Sequence, residues 1–243
     1  MKYFIIILFS VQFVFSQQNI DKKKYDSIRA HYLTIAKENE VWEPEPDVVK
    51  PVIKGSPPSD AIILFDGSDL SKWHHSNSNL PVEWTLNKDK SMTVVLGTGS
   101  IETKFEHGSI QLHIEWKTPK VISGDGQCRG NSGIYFQRRY EVQILDSYNN
   151  RTYSNGQAGA IYKQSIPLVN ASLPPGQWQV YDIVFNEPKY NADGKQIKSG
   201  TFTVFHNGVL VHNNTKILGT TSFIGMHETD RDSFPLDGQK GGT

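Results

Sequence analysis

Glu141, Gln143 and Asp146 stand close together in the run RYEVQILDSYNN (139–150). A carboxylate and an amide two residues apart share one face of a β-strand, because side chains alternate with a period of two. A carboxylate so placed can take a proton or hold a cation, and the neighbouring amide can bind a polar ligand. In the strand predicted over 140–145, Tyr140, Val142 and Ile144 face one way, and Glu141, Gln143 and Leu145 the other. An antiparallel strand with one solvated face would show the same pattern, since Glu and Gln cost little there. Glu141 and Asp146 are an odd number of residues apart, so a regular strand splits them. One β-bulge would bring them onto one face, and bulges are frequent beside active sites. His113 and Glu115, in SIQLHIEWKT (109–118), put an imidazole and a carboxylate on one strand face. The loop after 145 (Asp146, Ser147, Tyr148, Asn149, Asn150) is polar and aromatic, as the walls of sugar sites usually are.

Composition removes several other chemistries. Lys+Arg and Asp+Glu are both 25 in the 243 residues, a formal net charge of +0. That gives no electrostatic case for nucleic acid or for an anionic membrane surface. The single Cys128 excludes an internal disulfide framework and a cysteine zinc site. There is no Gly-x-Ser-x-Gly elbow, phosphate loop or dinucleotide fingerprint.

The elements that must position these residues follow from periodicity. Residues 1–16 read as an export signal, with Lys2 before an apolar run and a cleavage point before Gln17. The run is too short for a membrane span, so no stable span is expected after cleavage, and the mature protein is expected to be periplasmic or secreted. Residues 17–58 read as a helix, with helical apolar spacing over 25–36, followed by an extended connector with Pro44, Pro46, Pro51, Pro57 and Pro58. The domain proper spans 59–243. Strands are predicted at 61–65, 92–96, 100–103, 109–118, 133–137, 140–145, 178–185 and 222–226. A hairpin is predicted over 201–211 with its turn at Asn207-Gly208. Many short strands with turns between them predict an all-β antiparallel sandwich or jelly roll with a short N-terminal helix. Its core should hold Ile110, Leu112, Ile114, Val142, Ile144, Ile183 and Phe185.

Two resemblances add to this reading. The Glu141–Asp146 segment is similar to the Glu-x-Asp-x-x-Glu strand of laminarinase-type β-glucanases, which are concanavalin A-like jelly rolls. Gln143 stands where that family has Asp, and Asp146 where it has the second Glu. A closer resemblance runs along WEPEPDVV (42–49), SDAIILFDGSDLSKW (59–73), GSIQLHIEWKTP (108–119), CRGNSGIYF (128–136), RYEVQILDSYNN (139–150), NGQAGAIYKQ (155–164) and HNGVLVHN (206–213). In that order these stretches resemble the 3-keto-disaccharide hydrolase domain family. The resemblance implies a concanavalin A-like jelly-roll sandwich and cleavage of glycosides already oxidised to a ketone at sugar C3. Members finish with a Gln-Asp-His-Gly segment and a closing strand resembling VRFRNIW. This chain stops at PLDGQKGGT (235–243), which implies a C-terminus lacking that strand.

The implied chemistry needs one base and a group that stabilises an enolate. Glu141 is the first candidate base and His113 the second. Arg129, Asn131, Gln143, Asp146, Gln157 and Tyr162 are candidates to hold the small oxidised glycoside. No ligand spacing identifies a cofactor, although a divalent metal ion bridging the C2 and C3 oxygens would serve the enolate, with Glu141, His113 and Glu115 as candidate ligands. The competing reading is a non-catalytic carbohydrate-binding module. Glu141 and His113 converging on one cleft would favour the enzyme, and their facing opposite sides the module.

Overall fold

The computed structural model describes residues 22–53, 55–78 and 80–230. The export signal expected at 1–16 and the chain end at 235–243 lie outside the described residues. The chain divides into two compact units between Ile62 and Ile63. In the first, helix α1 (Lys22–Glu38) contains the stretch whose apolar spacing is helical, and none of its residues is buried. The described residues of the proline-rich run after it carry no helix or named strand, only an isolated bridge between Ile53 and Ser56, as expected where prolines remove backbone donors. No helix among the described residues is long and apolar enough to cross a membrane.

The second unit is built from strands β1 (Trp73–His75), β2 (Thr85–Leu86), β3 (Met92–Thr93), β4 (Ile101–Thr103), β5 (Ile110–Trp116), β6 (Asn131–Phe136), β7 (Tyr140–Leu145), β8 (Gln179–Asn186), β9 (Lys189–Tyr190), β10 (Gln196–Lys198), β11 (Thr201–His206) and β12 (Val209–Lys216). All their pairings are antiparallel. A four-stranded sheet runs in the order β12-β11-β8-β5, and β6 pairs with β7 in a facing layer. The result is an all-β jelly-roll sandwich.

The core lies between these two layers. From one side come Tyr181, Ile183, Phe185, Phe202, Val204 and Trp116; from the other Phe136, Tyr140 and Val142. Val142, Ile183 and Phe185 are fully buried, while Ile110, Leu112, Ile114 and Ile144 are partly buried against the same cluster. Alternation in β5 therefore sends Gln111, His113 and Glu115 to the outward face of the four-stranded sheet, and all three are exposed.

Two tight turns fix the registers. Asn207 (φ 51°) and Gly208 (φ 76°) join β11 to β12, and Gln137 (φ 54°) and Arg138 (φ 58°) join β6 to β7. Two successive left-handed residues match the twist of a hairpin. Arg138 reaches from its turn to the buried Glu102 on β4, whose other oxygen contact is His74 Nε2 at 3.3 Å.

Two predicted strands are absent. Residues 61–65 form no ladder, because side chains take their carbonyls: Lys72 Nζ donates to Ile63 O, and the Trp73 indole to Leu64 O at 3.0 Å. Residues 222–226 close as a turn, with the Gly225 amide donating to Ser222 O at 3.0 Å and Gly225 at φ 77°.

Two buried histidines give the fold an acid limit. His206 is fully buried between the rings of Trp116 and Tyr181, and His212 is 2 % exposed. Burial pushes both imidazoles down to about 4. The unfolded chain thus binds their protons at higher pH than the folded one. Their contribution is fully present above the ordinary imidazole value and is lost as pH falls towards 4. Denaturant midpoints should fall between about pH 6.5 and pH 4, and His206→Gln should make that fall shallower.

Candidate active site

Glu141 and Gln143 project from β7 on the face turned away from the core, yet Glu141 is only 6 % exposed and Gln143 1 %. That second face is covered, which alternation alone could not show. Across the β6–β7 ladder, Tyr135 stands opposite Glu141 and Gly133 opposite Gln143. Along the other edge of β7, a bridge pairs Val142 with Ile161. There the Tyr162 amide donates to Glu141 O (3.1 Å), and the Gln143 amide to Ala160 O (3.0 Å). Tyr135, Glu141 and Tyr162 therefore form one row across the covered face, and Gly133, Gln143 and Ala160 the next.

Burial pushes the Glu141 carboxyl up to about 7, against an opposing hydrogen bond from the Tyr135 hydroxyl to Oε2 at 2.7 Å. The Gln143 amide stands 3.0 Å from Glu141 Oε1 and 2.9 Å from Ser132 O when its nitrogen is turned towards them. In the reverse orientation that nitrogen donates to Gln127 Oε1 at 3.0 Å. Either charge state of Glu141 thus finds a partner: the carboxylate accepts from the amide nitrogen, and the acid can donate to the amide oxygen. Gly133 is required here, because a Cβ at this position would collide with the Glu141 carboxylate.

Two loops reach the row. The loop before β6 brings Gln127, whose amide donates to Gly156 O at 2.9 Å. The short 3-10 turn Ser154–Gly156 brings Tyr153, whose hydroxyl lies 2.7 Å from that of Tyr162. Gln127 and Tyr153 were not singled out from the sequence. The available signal was glycine: Gly156 leaves space that a Cβ would take from the Tyr153 ring, as Gly133 does for Glu141.

The other candidates stand elsewhere or are already engaged. Asp146 follows β7, about 17 Å along the strand from Glu141 at roughly 3.3 Å per residue. No irregularity breaks the β6–β7 register to bring the two together. Asp146 is buried and meets Arg129 Nη1 at 3.5 Å, and Arg129 also donates to Tyr148 O at 3.1 Å. This pair fastens the loop after β7. Asn131 donates to Gln127 O (2.9 Å) and Gln157 to Asn150 O (3.2 Å), so both brace the covering loops.

His113 does not join Glu141. Its ring lies on the outward face of the opposite sheet, where Nδ1 meets Asp182 Oδ1 at 2.6 Å and Nε2 stands 3.9 Å from Glu115. The core separates the two residues, and this removes the pairing expected from strand parity. Of the suggested metal ligands, Glu141 is separated from His113 and Glu115 for the same reason. Among the described residues no group of three or more His, Cys, Asp or Glu could hold one ion.

A buried carboxyl titrating near neutrality, ringed by phenols and carboxamides, suits proton transfer in a polyhydroxylated ligand. A sequence profile for the 3-keto-alpha-glucoside-1,2-lyase-like domain matches residues 60–233. The chain belongs to this family. A crystal structure of a candidate glycosyl hydrolase from Parabacteroides distasonis ATCC 8503 is 48 % identical, covering 81 % of this chain and 85 % of that one with a TM-score of 0.76. A second such structure from the same organism is 20 % identical, covering 62 % of this chain and 70 % of that one with a TM-score of 0.45. No curated protein matches the chain. The 3-keto-glucoside-lyase-like domain thus carries its buried carboxyl on strand β7, within the matched residues 60–233.

The raised Glu141 value has a stability consequence. Because the folded carboxyl holds its proton at higher pH than the unfolded one, the group destabilises the fold above about 7, and that burden vanishes below the ordinary value of 4.5. Glu141→Gln should therefore be more stable than the wild type at about pH 8, by up to about 3 kcal/mol. The gain should shrink to nothing as pH falls through this window in paired denaturation curves.

Proposed function

We propose that this domain cleaves 3-keto-glycosides, with Glu141 as the base. The observation that carries the reading is the burial of Glu141, which keeps its carboxyl near 7 between Tyr135 and Gln143. A C3 ketone acidifies the neighbouring C2–H. The Glu141 carboxylate takes that proton, and the electron pair moves through C2–C3 onto the ketone oxygen. As the ketone re-forms, the C1–O bond breaks, and the departing alkoxide receives the proton from Glu141. The products are an unsaturated keto sugar and the free aglycone, and water then adds at C1. The proton transfers of this route need one general base near the working pH, beside a group that stabilises the enolate oxygen. The paired carboxyls of ordinary retaining hydrolysis, about 5–5.5 Å apart, are not needed. Asp146 lies too far along the strand to supply such a partner.

The separation of His113 from Glu141 favours a second reading, a non-catalytic carbohydrate-binding module. A module, however, has no use for a carboxyl held near neutrality in a covered row. In the enzymatic reading, the apolar leader at 1–16 further implies action outside the cytoplasm on small oxidised glycosides. Mature protein recovered from an exporting cell should then begin near Gln17.

Purified protein should release aglycone from a 3-keto-glucoside and leave the unoxidised parent intact. Glu141→Gln should lower that turnover by at least ~10²-fold, the lower scale for a positioned general base, with an unchanged thermal midpoint or a higher one. Binding of the keto sugar without cleavage by the wild type would support the module.

A further inference from the structure

Glu141 supplies only half of what the elimination needs, since negative charge must also be received at the ketone oxygen. We propose that Tyr162, backed by Tyr153 and Lys163, forms the acid half of the same site and donates to the C3 oxygen of the substrate. This inference rests on the cleavage proposed above.

The backbone sets the arrangement. Tyr162 is directly opposite Glu141 on the same sheet face, and residues so placed have Cβ atoms about 4.5–5.5 Å apart. A sugar ring can therefore present C2–H to one residue and the C3 oxygen to the other. The Tyr162 hydroxyl is 2.7 Å from that of Tyr153, so a proton passed to substrate by one phenol can be replaced by the other. Tyr162 is only 9 % exposed, so its hydroxyl acts in a site largely closed to water.

Lys163 gives the pair a charge. Its Nζ lies 4.0 Å from the centroid of the Tyr153 ring and 5.8 Å from that of Phe223. In a regular strand it would leave on the face opposite Tyr162. Instead its φ is 60°, in the left-handed region that side-chain-bearing residues rarely adopt. Its amide is tied to Asn155 O at 2.8 Å, on the same short turn that carries Tyr153. Strained backbone of this kind clusters at functional sites. Here it returns the ammonium to the ring whose hydroxyl serves Tyr162, where it attracts negative charge developing on the phenols.

The proton inventory closes. As Glu141 takes the C2 proton, the C3 oxygen gains an electron pair and accepts a proton from Tyr162, which draws one from Tyr153. When the C3 carbonyl re-forms and C1–O breaks, that proton returns to the phenol pair. No oxidant or further reactant is consumed.

The test compares wild type, Tyr162→Phe, Tyr153→Phe, Lys163→Met and Lys163→Arg on a 3-keto-glucoside, with thermal midpoints to establish folding. Tyr162→Phe should lower kcat by about 10²–10³-fold with little change in KM, the scale for removing one oxyanion donor. Tyr153→Phe and Lys163→Met should lower kcat by smaller factors, and Lys163→Arg should restore most of the Lys163→Met loss. A folded Tyr162→Phe protein with undiminished kcat, beside a crippled Glu141→Gln, would overturn the acid assignment and leave the base intact. A loss expressed in KM alone would reduce the phenols to binding groups and overturn it too. A wild type unable to cleave the keto sugar would overturn both proposals.

Discussion

The site depends on how a carboxyl group is kept out of water on the second face of a two-stranded sheet. Taking an ionised carboxylate out of water is unfavourable unless hydrogen bonds replace the lost hydration. Glu141 receives one clear replacement, from the Tyr135 hydroxyl at 2.7 Å, and a second when the Gln143 amide turns its nitrogen inward. These do not compensate fully, so the acid form remains favoured up to about 7. Too little hydrogen bonding would hold the group permanently protonated, and more would return it to an ordinary carboxylate. Either change would make it a poorer base at neutral pH.

The remaining architecture maintains that balance. The core between β5-β8-β11 and β6-β7 fixes the parity of β7 and points Glu141 outward from the hydrophobic layer. The hairpin turn at Gln137-Arg138 sets Tyr135 opposite it, and the Val142–Ile161 bridge sets Tyr162 on the other side. Gly133 leaves room for the carboxyl itself. The Arg129–Asp146 pair, the Asn131–Gln127 bond and the Gln157–Asn150 bond hold the covering loops in place. Several residues with binding chemistry thus contribute by excluding water from a carboxyl they do not touch.

Much of this was legible in the sequence. Strand 140–145 and the hairpin at Asn207-Gly208 were set by local patterns, and the antiparallel sandwich followed from the number and spacing of the strands. The covering of Glu141 was not legible, because it depends on loops from 119–130 and 147–158 that carry no period. The expected convergence of His113 and Glu141 failed for a reason the sequence contained. Ile110, Leu112 and Ile114 were assigned to the core, and so were Val142 and Ile144. In a two-layer sandwich the residues alternating with them leave from opposite outer surfaces. His113 and Glu141 could have met only if β5 and β7 belonged to one sheet. The missing strand at 61–65 has a different cause: its carbonyls are taken by Lys72 and Trp73, contacts across a chain separation of nine residues that apolar content does not reveal.

The central claim is that burial alone moves Glu141 into the working range of a base at neutral pH. Carbon-13 NMR titration of the glutamate side-chain carboxyls, with Glu141→Gln to assign the resonance, measures this directly. The account predicts one carboxyl with a midpoint near 7 that disappears in the variant. A Glu141 midpoint at the ordinary value near 4.5 would contradict it.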